Sequence, residues 1–321
     1  MRAIVLQDAG SPARLTQIAP PVPGPDDVLI DVAACGLNFA DLLMIEGQYQ
    51  ERRPFPLTLG MEIAGTVRAC GRSVTGVQPG MRVAAFTGHG GLAEQVACPA
   101  RHCLPLPDTI PMTEAAGFLV AYGTSHLALC HRAHLRPAET LVVLGAAGGV
   151  GLTAVEIGAA IGARVIAVAR GAAKTDVARA AGAAHCLDST GLDLRAELRT
   201  LGGADVIFDA IGEPLATPAL RALRPEGRYL SIGFAGGNVP QFPANILLVK
   251  NLTVIGLYWG GYLDFAPDTL MASLRDLLRM YDAGRLRPHI SHVLPLERFA
   301  DGLDLLRSRK STGKVVITLA P

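Results

Sequence analysis

One stretch constrains this chain more than any other: Leu141-Val-Val-Leu-Gly-Ala-Ala-Gly-Gly-Val-Gly-Leu-Thr. It reads as an apolar strand, a glycine-dense turn and the start of a helix. Ala146-x-Gly148-x-x-Gly151 keeps the spacing G-x-G-x-x-G with alanine in the first place. Glycine is required where a pyrophosphate lies against the backbone, because any Cβ would collide with it. The helix that follows aims its unpaired N–H groups and positive dipole end at that anion. Taken alone, such a match is equally an ordinary Gly-rich turn, so its surroundings decide.

Those surroundings are regular. From Thr140 onward, short apolar runs alternate with Ala- and Leu-rich helical segments: Leu141–Gly145, Arg164–Ala169, His185–Leu187, Asp205–Asp209, Arg228–Ile232 and Thr253–Leu257. Six such runs predict an α/β fold, a doubly wound parallel sheet with right-handed crossovers. The turn Ala146, Ala147, Gly148, Gly149, Val150 and Gly151 is then a dinucleotide site. An NAD site usually places an acid at the end of the second strand, about 20 residues on. Here that place is Ala169, 23 residues past Ala146, and Arg170 and Lys174 follow it. The missing acid and the two cations predict a 2′-phosphate and hence NADPH; the other reading is a solvated Arg and Lys at a helix start.

Residues 1 to about 110 differ in texture. Short alternating strands such as Val28-Leu-Ile-Asp-Val-Ala-Ala and Glu62-Ile-Ala-Gly-Thr-Val-Arg lie between turn residues, which predicts a compact β-barrel-like unit. After about residue 262 come two amphipathic helices, Pro267–Asp282 and Glu297–Arg309, and a last strand, Lys314–Leu319, that completes one domain or the other. At 321 residues two domains are expected. The 29 basic and 28 acidic residues nearly cancel to +1, which leaves no electrostatic footprint for nucleic acid or an anionic membrane. No apolar run reaches the ~18–20 residues of a membrane span. The N-terminus has no signal-peptide pattern, and six dispersed cysteines without a C-x-x-C pair fit a cytoplasmic protein.

Cys35-Gly-Leu-Asn-Phe-Ala-Asp-Leu-Leu, Gly47-Gln-Tyr, Phe55-Pro-Leu-Thr-Leu-Gly-Met-Glu-Ile-Ala-Gly-Thr-Val, Ala146-Ala-Gly-Gly-Val-Gly and Arg309-Lys-Ser-Thr-Gly-Lys-Val together resemble the medium-chain dehydrogenase/reductase superfamily. Within it they resemble the zinc-free quinone oxidoreductases, the zeta-crystallin group. Gly47-Gln-Tyr-Gln-Glu-Arg and Gly256-Leu-Tyr-Trp-Gly are closest to the quinone oxidoreductase-like 2 branch. The resemblance covers essentially the whole chain. It implies a GroES-like catalytic domain at 1–121 and 263–321, flanking a Rossmann NADPH-binding domain at 122–262.

Zinc-dependent members of this superfamily hold catalytic zinc through a Cys, a His in Gly-His-Glu and a later Cys or Asp. By alignment those places read Asn38, Met61 and Ala116 here, and no set of thiolate and imidazole ligands can form. Without that Lewis acid, hydride has to go to an acceptor that spreads the arriving charge itself. A quinone or an α,β-unsaturated carbonyl does so, with positioned donors helping.

The resemblance places Asn38, Asp41 and Tyr49 in the catalytic cleft. Asn38 offers an amide to substrate or cofactor. Asp41 either orients a donor or braces the helix that starts near Asn38, and Tyr49 either donates a proton or forms a wall against the ring. Further cofactor contacts carried over are Thr124, Gly233, Phe234 and Arg309, the last equally readable as an exposed helix-end residue. Ser189 stands where some relatives carry a Tyr beside the adenosine phosphate. His131 with His134, and His289 with His292, lack a third ligand at a sensible spacing, and His126 reads as a packed histidine.

The expected activity is therefore zinc-independent, NADPH-dependent reduction of a quinone or similar conjugated carbonyl. Rival readings are an alkenal or enoyl-thioester reductase on the same scaffold, and a protein that binds NADPH without turnover. The apolar run Asn251-Leu-Thr-Val-Ile-Gly-Leu-Tyr predicts an edge strand that pairs with its copy, and hence a homodimer.

Overall fold

In the computed structural model, which describes residues 1–319, the six apolar runs form one sheet. Its strands are β1 (Thr140–Leu144), β2 (Arg164–Ala169), β3 (His185–Asp188), β4 (Ala204–Asp209), β5 (Leu223–Ser231) and β6 (Thr253–Gly256). They lie in the order β3-β2-β1-β4-β5-β6, every neighbouring pair parallel. The chain winds outward from β1 to one edge, returns to β4 and winds to the other. The direction reverses between β1 and β4, and in such sheets ligands bind outside the carboxyl ends of the strands at that reversal.

The sequence makes this sheet because its strands are apolar on both faces. β1 is buried throughout, and β2 everywhere except Arg164. Val142, Leu144, Ile166, Val168, Ile207 and Tyr229 pack with Leu194, Leu198 and Leu220 from the covering helices; each such side chain contributes roughly 1.5–3 kcal/mol on burial. The helix Gly149–Ile161 approaches its strand at Gly158, where a Cβ would stand 2.6 Å from Leu141 Cδ2. It stops at Gly162, whose left-handed φ of +93° ends the helix.

The chain divides into two compact units, Met1–Val120 with the stretch from Pro288 onward, and Ala121–Arg287. The first unit is mostly antiparallel. Its larger sheet runs Ile290–Pro295, Lys314–Thr318, Asp27–Gly36, Glu62–Cys70, Arg82–Phe86, Cys103–Pro105, with Gln95–Pro99 also paired to Asp27–Gly36. A smaller sheet joins Arg14–Gln17, Arg2–Leu6 and Leu57–Thr58. The last strand belongs here: Val316 pairs with Gly36 and Ile317 with Cys35.

Residues 263–287, which the family resemblance groups with the first domain, cluster with the second unit instead. The helix Pro267–Asp282 buries Leu270, Leu274 and Leu277 there, and His126 Nδ1 lies 2.7 Å from Ser273 Oγ. Among the described residues, no helix is long and apolar enough to cross a membrane.

Candidate functional site

The second unit carries the glycine turn at the carboxyl end of β1. Gly145 (φ +74°) and Ala146 both donate their N–H to Val168 O at 3.0 Å, which ties the turn to β2. A Cβ on Gly145 would meet Ile211 Cδ1 at 2.6 Å, and one on Gly151 would meet Gly145 O at 2.1 Å. At Gly148 a Cβ would touch only Gly145 O, at 3.4 Å, so the space beside it is open. Two glycines are therefore required by the protein's own packing, and Gly148 keeps a surface clear. Gly148 is also the N-cap of the helix Gly149–Ile161, and neither a side-chain cap nor an acidic residue occupies its first turn. The first-turn N–H groups have no intrahelical acceptor, so this cradle suits the pyrophosphate of a dinucleotide. Ser125 Oγ bonds to Val150 O at 2.8 Å in that same turn and so anchors the segment carrying buried Thr124.

The pairing of Ala169 with Asp188 brings the ends of β2 and β3 together. Arg170, Lys174 in the first turn of the helix Ala172–Ala180, and Ser189 all sit at this edge, and Ser189 N–H donates to Ala169 O at 2.9 Å. Asp188 was not singled out by the sequence. Its Oδ1 accepts from Gly171 N (2.9 Å) and Thr190 N (3.0 Å), and these backbone donors hold its carboxyl below the usual range. An acid is thus present at this edge, on β3 rather than β2, and it bonds the backbone of the turn.

Gly233 and Phe234 follow β5. Ile232 and Gly233 donate to Asp209 O at 2.8 and 3.3 Å, and Phe234 is 42% exposed. The carboxylate of Asp209, at the end of β4, accepts from Ile211 N (2.8 Å), Gly212 N (2.9 Å) and Tyr229 Oη. Burial raises the pKa of both Asp209 and Tyr229. This buried pair shapes the loop that carries Ile211 against Gly145. Sequence reading missed it because Tyr229 is also an ordinary core aromatic.

The first unit holds a separate buried polar cluster around Asn38. Lys314 Nζ donates to Leu37 O (2.8 Å), Asn38 Oδ1 (2.8 Å) and Glu62 Oε1 (2.7 Å). The Asn38 amide donates to Glu62 Oε1 (3.0 Å) and Gly36 O (3.2 Å), while Glu62 Oε2 accepts from Val120 N (2.9 Å). Both amide protons of Asn38 are therefore engaged within this unit. Asp41 is fully buried; Oδ2 accepts from Asn38 N (2.8 Å) and Oδ1 from Gly60 N (3.3 Å), so its carboxylate braces the start of the helix Phe39–Ile45. Tyr49 is half-buried just beyond that helix, its N–H on Leu43 O at 3.2 Å. Arg309 lies exposed in a left-handed turn (φ +55°) after the helix Phe299–Arg307.

Burial pushes the Asp41 pKa up to about 6, against the opposing pull of the Asn38 N–H, Lys314 and the Gly60 N–H. The folded protein thus keeps a proton, between about pH 4 and 6, that the unfolded chain has released. Stability from this group is highest below that window and falls as pH rises through it, by on the order of 2–3 kcal/mol. Asp41→Asn should flatten this component, read as denaturation midpoints from acid to neutral pH. A variant that keeps the wild-type slope would contradict the assignment.

The three places aligned with zinc ligands do not suit the metal. Met61 and Ala116 are buried, a thioether and a methyl group, and the amide of Asn38 is already committed. Nearby Cys35 is buried, which raises its thiol pKa well above the usual value. Among the described residues, no group of three or more His, Cys, Asp or Glu side chains could hold a metal ion. His131 stacks edge-on with Tyr262, and His289 Nε2 lies 3.0 Å from Thr312 Oγ1.

Comparison with known proteins agrees with these two halves. Residues 24–108 match the alcohol dehydrogenase GroES-like domain, and residues 149–274 the zinc-binding dehydrogenase family. The chain is 38% identical over 322 residues to quinone oxidoreductase-like protein 2 of Bos taurus, covering 99% of this chain and 92% of that protein. The quinone oxidoreductase of Thermus thermophilus, solved also in complex with NADPH, has a TM-score of 0.88 at 34% identity over 99% of this chain and all of that one. The Escherichia coli quinone oxidoreductase, solved with NADPH, has a TM-score of 0.91 at 25% identity over 99% of this chain and all of that one. With a glycine cradle in a six-stranded parallel sheet and a GroES-like unit built around Asn38 and Glu62, this chain belongs to the medium-chain dehydrogenase/reductase superfamily and is an oxidoreductase of its quinone oxidoreductase-like family.

Proposed function

We propose that the protein reduces a quinone or another conjugated carbonyl with NADPH and uses no metal. One observation carries this reading: where zinc-dependent relatives place metal ligands, this chain has a committed amide, a buried thioether and a methyl group, at Asn38, Met61 and Ala116. With no Lewis acid to stabilise an isolated alkoxide, the acceptor must delocalise the charge itself.

Bound NADPH would supply the hydride. The glycine turn and the N-terminus of the helix Gly149–Ile161 hold the pyrophosphate, and Gly233, Phe234 and Thr124 serve the nicotinamide end. Asn38 and Asp41 position the start of the helix Phe39–Ile45, and the Tyr49 hydroxyl is the donor offered to the acceptor oxygen. The product enolate or quinol anion can take its proton from Tyr49 or from solvent. The test is loss of NADPH absorbance with a quinone, an enal, an enoyl-CoA and a simple ketone offered separately, before and after chelator treatment. Turnover of a quinone or enal, indifferent to chelator and absent with the ketone, is expected. Chelator-sensitive oxidation of plain alcohols would overturn the reading, and cofactor binding without turnover would favour a binding protein.

Preference for NADPH rests on Arg170 and Lys174, with Ser189 and Arg309 as further phosphate contacts. Arg170→Ala/Lys174→Ala should weaken NADPH about 10- to 100-fold, the worth of one or two charge-assisted phosphate contacts, and leave NADH nearly unchanged. Equal affinity for both cofactors in the unmodified protein would count against the assignment.

The reading includes a cytoplasmic homodimer. Six free thiols support the compartment. Strand β6 lies at an open sheet edge, and the preceding helix Ala244–Lys250 exposes Leu248 (75%) and Val249 (69%), which supports pairing across a two-fold axis. Light scattering should give twice the chain mass, and a monomer at micromolar concentration would refute it.

A further inference from the structure

At the amino ends of β4 and β5, the opposite end of the sheet from the glycine turn, lies a concavity of about 450 Å³. Five of its nine lining residues are cationic (Arg195, Arg199, Arg221, Arg224 and Lys250) and none is acidic. The chain as a whole carries only +1, so this is a local concentration and not a general surplus. The cations converge from separate segments. Arg195 and Arg199 share one face of the helix Leu194–Thr200, Arg221 is near the end of the helix Ala216–Ala222, Arg224 is in β5, and Lys250 ends the helix Ala244–Lys250.

Four surface arginines elsewhere pair with a carboxylate one helical turn away: Arg179 with Asp176, Arg279 with Asp276, Arg298 with Asp301 and Arg307 with Asp304. Among the described residues, the concavity's one cation with a carboxylate partner is Arg224, paired at 2.6 Å with Asp205, which is not itself part of the lining. The Lys250 ammonium is held by two carbonyls, Arg221 O (2.9 Å) and Leu223 O (2.5 Å), which orient it without cancelling its charge. Burial, with repulsion from Arg195 and Arg199, lowers the Lys250 pKa. An entering anion would relieve that repulsion.

We infer that this cleft binds a soluble polyphosphate, as a second anion site separate from the dinucleotide cradle. Guanidinium forks match phosphoryl oxygens in pairs, and several converging cations suit linked phosphoryl groups better than a single one. The volume lies in the small-molecule range of ~300–1,000 Å³.

The test uses the full-length protein saturated with NADPH, so that the cofactor cradle is closed to competition, and titrates it calorimetrically with sodium tripolyphosphate. One-to-one, salt-sensitive binding is expected, weakened about tenfold or more in Arg195→Gln/Arg199→Gln. Both arginines are exposed, and unchanged circular dichroism and NADPH affinity would show that the variant remains folded. Absence of saturable binding at millimolar tripolyphosphate, equal binding by the double variant, or binding only to anionic phosphoinositide vesicles would each overturn the inference.

Discussion

Replacing Lys314 with methionine should cost about 3–5 kcal/mol of stability, the usual penalty for stranding a buried charge. The side chains of Glu62 and Lys314 are 0% and 7% exposed, and their charged atoms lie 2.7 Å apart. Without the ammonium, the Glu62 carboxylate would keep only the N–H of Val120 and one proton of the Asn38 amide. Leu37 O and Asn38 Oδ1 would lose a donor at the same time. The measurement is the chemical denaturation midpoint at neutral pH. Replacing both partners, as Glu62→Leu/Lys314→Met, removes the stranded charge and should recover much of the loss. A single variant within about 1 kcal/mol of the parent would show that the pair is solvated like a surface bridge.

Gly151→Val should reduce NADPH affinity by at least about 100-fold, because the collision is with backbone that cannot step aside. A Cβ there would lie 2.1 Å from Gly145 O, 2.8 Å from Gly145 C and 3.1 Å from Ala146 Cα. Either the helix retreats from the strand or the turn opens, and both misplace the N–H groups that face the pyrophosphate. Gly148→Ala separates packing from binding. Its new Cβ meets one atom at 3.4 Å, and its φ of −80° suits any residue. That variant should melt near the parent temperature yet bind NADPH poorly, since the methyl group enters space kept for the ligand. Fluorescence titration with NADPH, beside thermal melts, reads both. Full affinity in Gly148→Ala would place the pyrophosphate elsewhere.

The second unit was legible because its signals are local. Thr140–Leu144 announces a doubly covered strand, Gly145 and Gly151 mark a turn with no room for a Cβ, and the crossover rule limits the topology. What escaped the sequence is non-local. Lys314 and Glu62 are 252 positions apart, and nothing in Ser-Thr-Gly-Lys-Val indicates a buried cation. Asn38 read as a donor to substrate because a side-chain amide in a cleft has that capacity. Its two protons go to Glu62 and Gly36, and its oxygen accepts from Lys314, on a strand 276 positions away. Asp188 was overlooked because the expected acid belongs to β2, whereas the β2–β3 register brings this one alongside Ala169. The family resemblance grouped residues 263–287 with the first domain, but the helix Pro267–Asp282 buries Leu270, Leu274 and Leu277 in the second unit.

The antiparallel pairing of Lys314–Thr318 with Asp27–Gly36 bears on how the chain matures on the ribosome. The second unit is continuous in sequence and can condense while translation proceeds, whereas the first cannot close until the strand Lys314–Thr318 has emerged. Throughout that interval Glu62 has no counter-ion and the Asn38 segment lacks its ammonium. A nascent protein would therefore complete the glycine turn and its sheet before the first unit, whose larger sheet and internal charge balance wait for the codons of Lys314–Thr318.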